Sequence, residues 1–320
     1  MRVCVLTNLR AGRKNARLQR VLTFLKSRPD ILHIETDSYQ HVREALELLA
    51  DKGMEVLAVN GGDGTLQHAL TELLRDGRFP ALPLIAPLRG GRTNMNALVL
   101  GSHPDPVVAL TTLLTAARDG SLLNRVVQQP VLRVEYDPEA APQFGMFFGV
   151  GLLHRAIERK HQVLPKRRLQ GLPGAAMFLG SMVARAAFGS ESGILMPDGM
   201  TVTLDQSRKH WDRFLLFMAT TLNRLFFNLR PFWGTESAPI HCTAIAPGAR
   251  RTPGAVLRIL RGQAPYAHPE AAGYFSGNAH QLELHLDCGL LLDGELFAPQ
   301  PGRIVRMTTD QRLRFVQTHT

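Results

Sequence analysis

Four consecutive apolar residues, Val56, Leu57, Ala58 and Val59, run into Asn60 and then into Gly61, Gly62, Asp63, Gly64 and Thr65. A short apolar run stopped by glycines reads as a buried strand entering a tight loop. Beyond the loop, Leu66, Ala69, Leu70 and Leu73 recur at i, i+3, i+4 and i+7, the stripe of an amphipathic helix. Strand, glycine turn and helix in immediate succession confine this part of the chain to an α/β unit.

Such a turn suits phosphate. Glycine permits close approach of a ligand to the main chain, and N–H groups at a helix N-terminus present positive charge to an anion. Asp63 suits a neighbouring divalent cation, because Mg²⁺ takes few carboxylates and several waters. It equally suits a ribose or phosphate-bound water. The plainer reading is a turn that does nothing but join strand to helix.

The same alternation runs through the first third of the chain. Val3 to Leu6 read as a strand, followed by a helix with Leu18, Val21, Leu22 and Leu25 on one face. A strand is expected at Ile31–Glu35, a helix through Val42, Ala45, Leu46 and Leu49, and a fourth strand at Ala81–Ala86. Alternating strands and helices imply a largely parallel sheet covered on both faces, with ligands beyond the carboxyl ends of its strands. Three segments leave strands at that edge: the Asn8 turn, the Gly61–Thr65 loop, and Pro87–Leu98, which reads PLRGGRTNMNAL. Asn8 by itself reads as a cap for the helix that follows. Arg89 reads as a solvated loop arginine, while Arg92 and Thr93 are expected at the phosphate site.

Beyond Leu123 the pattern changes. Segments 131–136, 144–152, 202–204, 214–220, 240–246, 255–260 and 282–286 are short and strand-like, separated by Gly and Pro. They imply a β-sandwich, so the expected domains are 1–123 and 124–320. A helical insertion near 154–189 joins basic residues (Arg155, Arg159, Lys160, Lys166, Arg167, Arg168) to an apolar half. That composition fits an anionic membrane surface and, equally, a solvated face beside a core helix. The aromatic run Leu225–Trp233 is open in the same way, between an acyl-chain pocket and plain core.

With 37 Lys and Arg against 27 Asp and Glu, the chain carries a formal charge of +10 and should be drawn to anions. Its three cysteines have no CxxC partner, which argues against a thiolate metal site and a secreted disulfide scaffold. No stretch reads as a signal peptide or spanning helix, so a cytoplasmic protein with peripheral membrane contact is expected.

At Gly61–Thr65 the chain resembles the diacylglycerol kinase catalytic-domain family, which includes sphingosine, ceramide and bacterial lipid kinases. NAD kinases share the same signature. The resemblance implies a Rossmann-like α/β domain, the nucleotide-binding catalytic domain, followed by a β-sandwich lipid-substrate domain. Asn8, Ala11 and Gly12 fit the family's first turn, with Leu9 in place of its proline. Pro87, Gly91, Asn94 and Ala97 fit its next motif if two extra residues stand between proline and glycine. Arg92, Met95 and Leu98 replace its threonine, aspartate and arginine, and His68 stands where glutamate is frequent.

A final motif, Asp293-Gly294-Glu295, is by itself a hairpin turn, but it follows the family's order. By resemblance Asp293 and Glu295 are catalytic. Asn8, Gly61, Gly62, Asp63, Gly64, Thr65, Gly91, Arg92, Thr93 and Asn94 would bind nucleotide, and Asp63 with Glu295 would hold metal. ATP and Mg²⁺ are the implied cofactors. The implied partners are a lipid substrate and, transiently, an anionic membrane; no nucleic-acid partner is expected and a homodimer is left open. Lipid phosphorylation is the expected activity, most directly of diacylglycerol or a related lipid. The alternatives are an NAD kinase and a non-catalytic lipid or nucleotide sensor of the same fold.

Overall fold

The computed structural model describes residues 1–12, 16–79, 81–91, 93–163, 196–205, 207–209, 212–250, 252–299 and 302–319. The chain divides into two units, Met1–Gln129 with Arg312–Thr320, and Pro130–Gln311. The last residues thus cluster with the first unit rather than with the second.

In the first unit, β1 (Val3–Asn8), β2 (Leu32–Thr36), β3 (Val56–Gly61) and β4 (Leu84–Arg89) lie side by side in the order β4-β3-β1-β2. All three pairings among them are parallel. Every residue of β1, β3 and β4 is buried, as continuous apolar strands in a sheet covered on both faces should be. Helices α1 (Ala16–Lys26) and α5 (Pro106–Asp119) pack Val21, Leu25, Ala109, Leu110 and Leu113 against Val5, Ala58, Leu84 and Ala86. Helices α2 (Gln40–Asp51) and α3 (Asp63–Leu74) contact each other and the sheet. A short α4 (Met95–Val99) precedes α5. The start of α5 is fixed by Asp105, whose Oδ1 accepts the Val107 N–H at 2.9 Å, and by Pro106 in its first turn.

From β1 the chain steps outward to β2, returns to β3 on the other side, and continues to β4. The strand order therefore reverses between β1 and β3, and the crevice at their carboxyl ends is the position where open α/β sheets take ligands. The fourth strand runs three residues further along the chain than expected. Pro83 stands in the first half of the expected strand, and the shift makes Arg89 its last residue.

The second unit is antiparallel. One sheet holds β13 (Tyr274–Ala279), β12 (Ile240–Ile245), β11 (Leu216–Thr220), β7 (Phe147–Gly151), β15 (Leu290–Leu292) and β16 (Glu295–Phe297), in that order. In the other, β8 (Asp198–Leu204) pairs with β14 (Leu282–Leu286), and β14 with Ile304–Met307 of the long last strand. Alternate residues of both sheets, among them Phe148, Phe217, Phe275, Val202, Leu284 and Val305, share one core, which is a sandwich.

Two expectations change here. Segment 255–260 belongs to a helix, Pro253–Leu260. Thr252 caps it by accepting the Ala255 N–H at 3.1 Å, Pro253 opens it, and Ala255 and Ile259 face inward one turn apart; the Thr-Pro start signal outweighs the β-like composition. Of the basic and apolar insertion, a helix covers Leu152–Val163, while residues 164–195, including Lys166, Arg167 and Arg168, lie outside the described residues. Among the described residues no helix is long and apolar enough to cross a membrane.

Candidate functional site

The crevice of the first unit is built by mutual hydrogen bonding of the three motif segments. Asn8, at the end of β1, is buried; its Oδ1 accepts the Arg10 N–H at 2.8 Å and its Nδ2 donates to Thr65 Oγ1 at 2.9 Å. The first link turns the chain out of the strand, as Asx turns do, and the second ties β1 to the first turn of α3. The capping-type bond thus coexists with a place at the crevice. The Thr65 hydroxyl, buried and accepting from Asn8, still has its own proton to donate.

The glycines serve close packing of the loops. A Cβ on Gly61 would stand 2.5 Å from the Thr65 side chain, and one on Gly91 would stand 2.3 Å from Gly62 Cα. One on Gly90 would meet Asn60 Oδ1 at 2.4 Å and Gly61 N at 2.9 Å. The Gly61-Gly62 and Gly90-Gly91 pairs lie main chain against main chain, which no side chain would permit. Gly62 differs: a Cβ there would meet nothing nearer than Gly91 Cα at 3.5 Å. Gly64 is partly exposed in the first turn of α3.

Asp63 opens α3 and reaches the start of α4. Its Oδ2 accepts the Met95 N–H at 3.0 Å and its Oδ1 the Asn96 N–H at 2.8 Å. The residue keeps some exposure, but protein atoms surround the carboxyl and burial raises it above the usual carboxylate range, with the Asn96 and Met95 N–H groups pulling the other way. Met95 replaces the family's aspartate, yet what it gives Asp63 is a main-chain N–H that any non-proline residue supplies. Asn94 holds the loop in a left-handed conformation, φ 53°, with its Oδ1 accepting Gly91 N–H at 2.7 Å and its Nδ2 donating to Gly91 O at 2.9 Å. Thr93 is half-buried beside it, and Arg92 lies outside the described residues.

His68 does not replace the charge of a glutamate. Its ring stacks on Tyr39 with centroids 3.6 Å apart, and burial pushes its pKa down to about 4, so it is neutral near pH 7. Arg89 departs most from expectation. It is not a solvated loop residue but the buried end of β4, 8% exposed and in register with Gly61.

In the second unit, Asp293 sits in the turn between β15 and β16 with φ 48° and is 3% exposed. Its Oδ2 accepts the Met146 N–H at 2.9 Å and its Oδ1 the Phe147 N–H at 3.0 Å. Gly145 makes room for it, since a Cβ there would stand 2.7 Å from Oδ2. Glu295 follows at the start of β16, half-buried.

Asn60 Oδ1 and Arg89 Nε are buried at the strand ends without a hydrogen-bond partner, and such atoms fit a polar ligand arriving there. Among the described residues no group of three His, Cys, Asp or Glu forms a metal cage. A hydrated Mg²⁺ carried largely by phosphates needs only one or two carboxylates, and each Asp63 oxygen keeps a lone pair beyond its N–H bond. The residues present therefore fit both the implied nucleotide and the metal.

Residues 2–123 match the family model of the diacylglycerol kinase catalytic domain. That stretch holds the whole crevice. A solved structure titled a putative diacylglycerol kinase from Bacillus anthracis str. Sterne is similar at TM-score 0.67 and 14% identity, over 98% of this chain and 94% of that one. Another, titled a diacylglycerol kinase from the same strain, gives TM-score 0.61 and 13% identity over 98% and 96%. No curated protein matches the sequence. At such identities the solved structures show the fold, an α/β unit followed by an antiparallel one. The diacylglycerol kinase catalytic-domain match supports a kinase of this superfamily.

Proposed function

We propose that the protein is an ATP-dependent lipid kinase that transfers the γ-phosphoryl group to a lipid hydroxyl, most directly that of diacylglycerol or a related lipid. The observation that carries the reading is the crevice between β1 and β3, where Asn8, Thr65, Asp63 and the packed glycine pairs converge within the segment matching the diacylglycerol kinase catalytic domain.

Phosphoryl transfer is mainly positioning and neutralisation of charge. In this reading the main chain at Gly62 and Gly64 faces the phosphates and the Thr65 hydroxyl donates to one of them. Asp63 would hold Mg²⁺, which when bound supplies charge neutralisation on the phosphate oxygens. The Met95 and Asn96 N–H groups orient the Asp63 carboxylate for that task. Asp293 is proposed to accept the hydroxyl proton, oriented by the Met146 and Phe147 N–H groups, and Glu295 to assist at the metal. The basic surface and the insertion after α6 (Leu152–Val163) are proposed to meet an anionic membrane transiently.

The test is transfer of labelled phosphate from ATP with Mg²⁺ to diacylglycerol, monoacylglycerol, sphingosine, ceramide and phosphatidylglycerol in mixed micelles, and to NAD without lipid. Wild type, Asp63→Asn and Asp293→Asn are run side by side with thermal melts of each. One labelled lipid, lost in both variants, is the expected result. Labelled NAD and no labelled lipid would replace the lipid reading with its NAD alternative; ATP binding with no product would leave a sensor.

A further inference from the structure

Arg89 is a largely buried residue whose side chain meets no counter-charge among the described residues. No ion pair or hydrogen bond reaches its side chain among the described residues, and its Nε is sealed from water with no acceptor. A buried charge without a partner is among the costliest arrangements in a protein. The neighbouring charge makes matters worse: burial first, and then the like charge of Arg17 in the first turn of α1, depress the affinity of Arg89 for its proton. A cation in the first turn of a helix also opposes the helix dipole.

The surrounding sequence offers no remedy. Between Asn8 and Pro29 there is no acidic residue, whereas Arg10, Arg13, Lys14 and Arg17 all follow β1. Between Gly77 and Pro104 there is again none, and Arg92 follows Arg89. Asp63, the carboxylate of the intervening loop, directs its oxygens to Met95 and Asn96.

We propose that Arg89 forms a subsite for the polyphosphate chain of the nucleotide, placed where β4 ends in register with Gly61. The proposal rests on the nucleotide reading and adds to it the group that meets the phosphates as a planar, bidentate donor. The missing counter-charge is then the ligand's own, and the cost of burying Arg89 is recovered when phosphate oxygens reach the guanidinium.

Calorimetric titration of the full chain with ATP, ADP, adenosine, tripolyphosphate and inorganic phosphate tests this, for wild type, Arg89→Met and Arg89→Lys, with a thermal melt of each. The expected result is that Arg89→Met weakens ATP and tripolyphosphate about ten-fold or more, Arg89→Lys recovers part of the loss, and adenosine is unaffected. The melting temperature of Arg89→Met should hold or rise, because an unbalanced buried charge has been removed.

Equal ATP and tripolyphosphate affinities in wild type and Arg89→Met would overturn the subsite and leave the nucleotide reading intact. Tripolyphosphate binding that depends on Arg89, with ATP no tighter and adenosine not bound, would keep the phosphate cradle and sink the nucleotide. A lower melting temperature with every ligand weakened alike would make Arg89 structural and overturn the proposal. Binding to phosphatidic acid vesicles that is lost in Arg89→Met while ATP affinity holds would assign the guanidinium to a lipid headgroup instead, again overturning it.

Discussion

Asp63 and Asp293 use one device in two settings. Each carboxylate accepts two consecutive main-chain N–H groups from a segment distant in sequence, Met95 and Asn96 for the first, Met146 and Phe147 for the second. Asp63 retains exposure at the mouth of a ligand crevice, whereas Asp293 is 3% exposed in a left-handed turn and is closed over by Gly145. An acidic residue in a signature motif can therefore be a structural clasp and a chemical group at once, and burial decides how far the two roles can be separated by mutation.

Alanine at each position separates them. Asp293→Ala strands the Met146 N–H, which is buried, and the Phe147 N–H, which is partly so; a buried group left without a partner costs about 1–3 kcal/mol, so the second unit should lose several degrees of melting temperature. Asp63→Ala also frees two N–H groups, those of the buried Met95 and Asn96, but it removes at the same time a carboxyl that burial disfavours in its charged form, and the two effects oppose each other. Its stability should change by no more than about 1 kcal/mol, while phosphoryl transfer is lost. Calorimetric melts and labelled-phosphate assays on the same preparations read both quantities. Equal destabilisation by the two substitutions would break the comparison. The buried setting of Asp293 also means that Asp293→Asn is not a silent replacement, because its amide would turn a donor toward a donor.

A smaller effect follows from His68. Burial and stacking on Tyr39 hold its folded pKa at about 4 against an ordinary value of 6.5. With a depressed folded pKa the neutral ring favours the folded chain above pH 6.5, and that contribution drains away as pH falls from 6.5 towards 4, because the unfolded chain takes up the proton first. The loss is bounded at roughly 3 kcal/mol by linkage and is less where solvent reaches the ring. Melting temperatures of wild type and His68→Gln measured from pH 7.5 to 4.5 should converge toward the acid end; parallel curves would show that the ring is not held neutral.

The sequence exposed the parts of this molecule that repeat a local rule. Val56–Val59 and the stripe Leu66, Ala69, Leu70, Leu73 fix β3 and α3, because strand and helix periodicities depend on neighbours in sequence. The alternation of Leu282, Leu284 and Leu286 places β14 equally well. What stayed hidden depends on distant partners or on register. Arg89 read as solvated because its loop was drawn three residues too early, and only the pairing of Arg89 with Gly61 reveals its burial. Met95 looked like a lost acid, although its contribution to Asp63 is a main-chain N–H invisible to any reading of side chains. The helix Pro253–Leu260 was legible in principle through Thr252-Pro253, a start signal that its β-branched and aliphatic composition masked.

The smallest expected change in stability is the most informative about the glycines. Gly91 and Gly62 face each other, but an alanine at 91 would drive its Cβ to 2.3 Å from Gly62 Cα, whereas an alanine at 62 meets only Gly91 Cα at 3.5 Å. The Gly62 backbone, φ −95° and ψ −174°, is extended and open to alanine. Gly62→Ala should therefore fold with a change of about 0.5–1 kcal/mol, most of it the poorer helix cap that alanine makes. If the main chain at Gly62 is approached by phosphate, the added methyl group stands in the ligand's path and ATP affinity drops about ten-fold while the melt barely moves. An unchanged ATP affinity would mean that the glycines of this loop serve only to pack the two turns together, and would shift the nucleotide contacts to Thr65 and the guanidinium of Arg89.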